Sequence, residues 1–178
     1  MKTVKVLDKS FKLYIPHDKI QEHIARVANQ INTDLKGKDI IFMGILNGSF
    51  MFASDLMKLI DLPSQITFLK LASYQGTNST GSVKRLIGLN EDISGKTVVV
   101  IEDIVDTGIT LEQIQKQLIG YEPAAIKYAT LLFKPNAYKG KIDIDYVGIE
   151  IPNDFILGYG LDYNGYGRNL ADLYVINE

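Results

Sequence analysis

Glu102 and Asp103 stand side by side directly after the apolar run Val98-Val99-Val100-Ile101, and Asp106-Thr107-Gly108-Ile109-Thr110 follows within three residues. A Thr-Gly-x-Thr turn leading into a helix points successive backbone N–H groups inward. It adds two hydroxyls beside the partly positive helix terminus, which is the chemistry of a cradle for a monophosphate. Carboxylates beside such a cradle suit sugar hydroxyls, which they accept from, and a divalent cation that takes oxygen ligands. Together these groups describe a site for a phosphorylated ribose. Each candidate has an ordinary alternative. Glu102-Asp103 could be a surface turn, Lys134, Asp162 and Arg168 solvated charges, and Phe155 plain core packing. His17 and His23, near or in the first expected helix, read as surface residues.

Residues of this kind need elements that hold them at strand ends. Val4–Leu7 and Phe11–Ile15 read as short strands. Pro16-His17-Asp18 opens a helix whose apolar positions Ile20, Ile24, Val27, Ile31 and Leu35 recur at spacings of three and four, with Gly37 placed to end it. Asp39–Leu46 is apolar without alternation, the pattern of a strand covered on both faces. Asn47-Gly48-Ser49 breaks that run, and Phe50–Ile60 returns to helical spacing. Gln65–Ala72 reads as a strand and Ser73–Ser82 as a long polar loop. Thr97–Ile101 is the most β-branched stretch, and a helix carrying Leu111, Ile114 and Leu118 follows the Thr-Gly turn. Ala125–Phe133, Tyr146–Ile149 and Phe155–Tyr159 supply further strands. Buried strands alternating with helices imply an α/β fold with a mostly parallel central sheet flanked by helices. Ligands of such sheets bind beyond the carboxyl ends of the strands, where Leu46-Asn47-Gly48, Glu102–Thr110 and Lys134 all fall.

Composition bounds the partners. The 178 residues suffice for one domain with a substantial core, expected to span 1–178, and neither repeat nor linker divides them. With 19 Lys and Arg against 21 Asp and Glu, the net charge of -2 offers no broad basic surface for nucleic acid or anionic membrane. The apolar runs fall far short of the roughly 20 residues of a membrane helix, and the amino end lacks the apolar stretch of a secretory signal. A cytoplasmic protein is the expectation. The absence of cysteine excludes disulfides, thiolate metal sites and a cysteine nucleophile.

The pattern Glu-Asp-x-x-Asp-Thr-Gly-x-Thr after a β-branched strand closely resembles the phosphoribosyl-pyrophosphate motif of the purine phosphoribosyltransferases. The stretch Asp145–Tyr163 with Arg168 resembles the carboxyl-terminal part of members that act on hypoxanthine and guanine. Gly44–Leu56, Ser73-Tyr74 and Lys134 extend the likeness over nearly the whole chain. The resemblance implies a type I phosphoribosyltransferase fold with a small hood built from the chain ends. It implies transfer of a phosphoribosyl group to a 6-oxopurine with magnesium as cofactor, small molecules as partners, and a homodimer or homotetramer. It also assigns roles. Glu102 and Asp103 hold the ribose hydroxyls directly or through magnesium, Asp106 is the general base at purine N7, and Thr107, Gly108, Ile109 and Thr110 cradle the 5′-phosphate. Lys134 donates to O6, Phe155 stacks on the purine, and the Ile156 carbonyl meets its edge. Asp162 serves magnesium and pyrophosphate, as a third metal residue beside Glu102 and Asp103, and Arg168 binds pyrophosphate. Leu46, Asn47 and Gly48 form the pyrophosphate loop, in which a non-proline cis peptide is usual, and Ser73-Tyr74 begins a loop that closes over the site. A free Asp is a weak base near its ordinary pKa of about 3.9, so Asp106 is expected to need desolvation or a neighbouring carboxylate such as Asp103. Two departures stand out: Asn47 replaces a frequent Lys or Arg, and Ile109 replaces a polar or basic residue.

Three other readings compete. A transferase for xanthine or another base differs only around C2 of the purine. A phosphorelay receiver shares an acidic strand end and a Lys-Pro pair, yet there the acids come early in the domain and the lysine follows a phosphoaccepting aspartate. A phosphoribosyl-pyrophosphate sensor that binds RNA or DNA needs a basic face, which the charge balance does not provide.

Overall fold

The computed structural model describes residues 2–74 and 83–177. Its centre is a six-stranded sheet of β3 (Ile40–Leu46), β4 (Ser64–Tyr74), β5 (Val83–Ile87), β6 (Thr97–Val105), β7 (Ala125–Phe133) and β8 (Tyr146–Glu150), in the order β5-β4-β3-β6-β7-β8. All pairings are parallel except β4 with β5, where Tyr74 faces Val83. The unbroken apolar runs follow from burial on both sides. Successive strand residues point to opposite faces, so Ile40, Phe42, Val99 and Ile101 join one core while Ile41, Met43, Val98 and Val100 join the other.

Helix α1 (His17–Asp34) and helix α2 (Phe50–Met57) cover the first face, and α3 (Ile109–Leu118) covers the second. Helix α1 buries the expected Ile20, Ile24, Val27 and Ile31, and Leu35 caps it, so it ends before Gly37. Helix α2 stops at Met57, short of the expected Ile60. A second sheet joins the two chain ends: β1 (Thr3–Val6), β2 (Lys9–Ile15), β10 (Leu173–Ile176) and β9 (Ile156–Leu157), in the order β1-β2-β10-β9. This is the expected hood, and Phe11, Leu157 and Tyr174 pack inside it.

The structure revises several boundaries. The strand expected over Phe155–Tyr159 shrinks to β9, because Gly158, Tyr159 and Gly160 all have positive φ (99°, 47° and 99°) and turn the chain away. Strand β6 runs on to Val105, so Glu102 and Asp103 lie within it and not after it. Strand β4 likewise continues through Ser73 to Tyr74, where a loop was expected to begin. The side chains of Ser73 and Tyr74, and the loop expected onward to Ser82, fall outside the described residues. Among the described residues no helix is long and apolar enough to cross a membrane.

Candidate active site

The end of β6 and the turn after it shape a cavity of about 320 Å³ lined by Glu102, Asp103, Ile104, Val105, Asp106, Thr107, Gly108, Thr110 and Leu111. Gly108 takes φ +88° at the N-cap of α3, a conformation that costs a residue with a Cβ more than glycine. Tyr138 packs against it so closely that a Cβ there would lie 2.5 Å from the ring. The Tyr138 hydroxyl donates to the Ile142 carbonyl (2.5 Å), and the Lys139 N–H donates to the Thr107 carbonyl (3.2 Å). The phosphate turn is thus braced from behind by the segment after β7. Thr107 and Thr110 are exposed, and the Ile109 side chain is 60% exposed and outside the cavity lining. The Ile109 side chain therefore takes no part in the cavity wall.

Both acids border this cavity, but their surroundings differ. The Asp103 carboxylate lies against Gly48, where a Cβ would come within 1.6 Å of its Oδ2. Burial pushes the Asp103 carboxyl above its ordinary range; the N–H of Ile104 (2.9 Å to Oδ1) and the Arg168 charge oppose that, and Asp162 adds to it. Glu102 is 6% exposed, and its Oε1 has no hydrogen-bond partner among the described residues. Burial, and then the Asp103 charge, raise its carboxyl well above the usual range. The Asp103 carboxylate thus has Gly48 against it and feels the charges of Arg168 and Asp162. The charge on Asp106 Oδ2 is the Lys134 ammonium, 3.1 Å away. Lys134 is buried just past the end of β7 while the half-exposed Asp106 lines the cavity, so one donor and one acceptor stand side by side.

The peptide Leu46-Asn47 is cis, as expected; Asn47 is exposed, and Gly48 and Ser49 are buried. Arg168 donates to the Gly160 carbonyl (2.7 Å) and pairs with Asp162 (2.6 Å), whose other oxygen accepts from the Gly165 N–H. Gly160 rests on the Gly48 carbonyl, leaving 2.1 Å for a Cβ. So Leu46-Asn47-Gly48, Asp103, Asp162 and Arg168 converge although 122 positions separate the first from the last. Phe155 is 45% exposed at the hood edge, its ring edge-on to Tyr163 at 6.0 Å and tilted against Phe11 at 6.3 Å. Ile156 is buried in β9, opposite Val175. Tyr138 was not anticipated, for nothing in Pro135-Asn136-Ala137-Tyr138 marks it as a brace.

Among the described residues no three acids or histidines gather into a ready cage for a metal. Magnesium binds through one or two carboxylates plus substrate phosphates and keeps its remaining waters. The unpartnered Glu102 oxygen and the neighbouring Asp103 suit that mode.

A central strand that carries two acids before a glycine turn, with a tail arginine, over a mostly parallel sheet with a hood defines a phosphoribosyltransferase. The model of the phosphoribosyl transferase domain matches residues 14–164, and the chain belongs to that family. It is similar to the hypoxanthine-guanine phosphoribosyltransferase of Streptococcus pneumoniae, 39% identical over 94% of this chain and 93% of that one. Among solved structures it is similar to a hypoxanthine phosphoribosyltransferase from Staphylococcus aureus (38% identity, 93% of this chain and 91% of that one, TM-score 0.83). It is also similar to the ternary substrates complex of a Trypanosoma cruzi hypoxanthine phosphoribosyltransferase mutant (32% identity, 93% and 95% covered, TM-score 0.85).

Proposed function

We propose that the chain salvages purines by transferring the 5-phosphoribosyl group from phosphoribosyl pyrophosphate to hypoxanthine or guanine, giving IMP or GMP and pyrophosphate. The observation that carries this is the Lys134–Asp106 pair at 3.1 Å, beside the phosphate turn. A 6-oxopurine presents a carbonyl oxygen next to N7. The ammonium has only protons to offer and meets O6, and the carboxylate accepts the proton from N7. The purine N9 lone pair forms the bond to ribose C1′, the bond from C1′ to the pyrophosphate oxygen breaks, and pyrophosphate leaves with that electron pair. Asp106 takes the N7 proton, which restores a neutral base in the product. Thr107, Gly108, the Ile109 N–H and Thr110 hold the 5′-phosphate, while Arg168 and the Leu46-Asn47-Gly48 loop meet the pyrophosphate. Phe155 offers its exposed ring face to the purine, and the Ile156 carbonyl the edge contact. Ser73 and Tyr74, at the end of β4, belong to the closing side of the site. Magnesium, held by Glu102 and Asp103 with Asp162 close by, would neutralise charge on the pyrophosphate. Asn47 contributes backbone and not charge to the loop.

We place the enzyme in the cytoplasm, as one domain over 1–178 that works as a homodimer or homotetramer, with neither nucleic acid nor membrane as a partner. Sedimentation of the pure protein reads the assembly state. Steady-state assays with phosphoribosyl pyrophosphate, magnesium and each of hypoxanthine, guanine, xanthine and adenine test the function. IMP and GMP are the expected products. Adenine, whose amine cannot accept from Lys134, should be used roughly 10⁴-fold less well, as expected of a site that hydrogen-bonds one specific substrate group. Efficient adenine turnover, or none with hypoxanthine and guanine, would overturn the proposal.

A further inference from the structure

Tyr159 is fully buried at the centre of Gly158-Tyr159-Gly160 with φ +47°, an uncommon conformation for a residue with a side chain. Its hydroxyl donates to Asp55 Oδ2 on α2. The Gln21 amide of α1 donates to the same Oδ2 (2.8 Å) and reaches the Tyr159 hydroxyl (3.2 Å), and Lys58 pairs with Asp55 Oδ1 (2.8 Å). Burial works to raise the Asp55 carboxyl, but the bonds from Lys58, Tyr159 and Gln21 outweigh it and leave the carboxyl below its ordinary range. Burial and the Asp55 bond both push the Tyr159 hydroxyl far up, so it stays protonated and donating.

The position of this pair in the chain gives it a consequence. Asp55 lies on the helix that begins directly after Leu46-Asn47-Gly48-Ser49, and the Ala53 N–H donates to the Ser49 carbonyl (2.8 Å). Tyr159 directly precedes Gly160, which rests on the Gly48 carbonyl and accepts from Arg168. The Gly160 N–H donates in turn to the Arg168 carbonyl (3.0 Å). One side-chain bond therefore spans the two segments that meet at the pyrophosphate end of the cleft.

We propose that Tyr159 and Asp55 are positioning residues: their hydrogen bond holds the Gly158-Tyr159-Gly160 turn against α2, setting the Gly48 loop and Arg168 for pyrophosphate. This rests on the transfer reaction proposed above. Neither side chain is placed to touch substrate, so the effect must appear in the pyrophosphate-bearing ligand and not in the base. Tyr159→Phe removes only the hydroxyl. It should raise the KM for phosphoribosyl pyrophosphate, and the Kd of magnesium pyrophosphate read by calorimetry, by about tenfold, the usual worth of a hydrogen bond to a charged group. The KM for hypoxanthine should stay within about twofold. Asp55→Asn keeps an acceptor for Tyr159 and should cost about threefold in the same two quantities, the double variant losing less than the product of the singles.

If Y159F folds, with a melting curve as cooperative as the parent's, yet leaves both pyrophosphate quantities within about twofold, the inference is wrong. It is equally wrong if the KM values for both substrates rise together, which is what a merely loosened fold would give. Should Y159F not fold, the same comparison on D55N decides. A parent chain that binds magnesium pyrophosphate but makes no nucleotide would instead overturn the transfer reaction, and the calorimetry would still read the pair.

Discussion

At the scale of single residues the site sets charges against one another at short range. Asp106 and Lys134 neutralise each other at 3.1 Å, and the proposed reaction has the purine meet both. Asp106→Asn keeps shape and removes basicity, so kcat with hypoxanthine should fall about 10²- to 10⁴-fold with little change in the KM for phosphoribosyl pyrophosphate. Near-normal turnover in a stopped-time nucleotide assay would remove the general base from the mechanism. Glu102 gives a second test, on stability. Its carboxyl, raised by burial from an ordinary 4.5, binds its proton more tightly folded than unfolded. The folded state therefore loses stability as pH rises from below the ordinary value toward the raised one. Without ligand and with a chelator present, Glu102→Gln should melt about 3 °C or more above the parent at pH 8, the gap closing near pH 4. The same variant should bind phosphoribosyl pyrophosphate worse. A variant no more stable at pH 8 would show that the Glu102 carboxylate is not the burden its burial makes it.

At the scale of elements, the site depends on where strands stop and how tightly turns approach. Gly108 has φ +88° with the Tyr138 ring 2.5 Å from where a Cβ would sit. Gly108→Ala should cost about 1–3 kcal/mol in denaturant unfolding and raise the KM for phosphoribosyl pyrophosphate more than tenfold, while Tyr138→Ala, which vacates the space, should partly rescue the double variant. This scale also shows what the sequence could and could not reveal. The doubly buried strands β3, β6 and β7 and the apolar stripe of α1 were legible, because burial on two faces or one leaves a periodic trace. The phosphate turn was legible because its chemistry is contiguous. The antiparallel β5 (residues 83–87) was missed, since Val-Lys-Arg-Leu-Ile carries no buried-strand pattern, and β10 was missed because its main partner, β2, lies at the far end of the chain. The end of β6 was misjudged because charge after four apolar residues looks like a boundary, whereas hydrogen bonding in register with β7 carries the strand on to Val105. Partnerships such as Asp103 with Gly48, or Tyr138 with Gly108, join segments distant in sequence, and no local spacing encodes them.

At the scale of the whole molecule, the proposed ligand contacts come from both sheets. The central sheet supplies the phosphate turn, Glu102, Asp103, Asp106 and Lys134, whereas Phe155 and Ile156 belong to the hood and Asp162 and Arg168 to the tail that leads back to it. Within the hood, β10 pairs with both β2 and β9, and Asp172 joins the hood to α1 by accepting from the His17 N–H (2.8 Å) while also accepting from Lys2 (2.5 Å). A ligand that spans both parts binds only when hood and sheet are docked, so it stabilises the folded chain by mass action. At about 100 times its Kd that amounts to about 2.7 kcal/mol, which for a chain of this size raises the melting temperature by roughly 5–10 °C. Phosphoribosyl pyrophosphate with magnesium should produce that rise, and a chelator should reverse most of it, since the ion would join the Glu102 and Asp103 carboxylates to the pyrophosphate. Ribose 5-phosphate, which reaches the turn but not Arg168, should give a smaller rise that the chelator changes little. If the two ligands stabilised the chain equally, with or without chelator, the acids and the tail would have no part in holding the pyrophosphate, and the phosphate turn alone would account for binding.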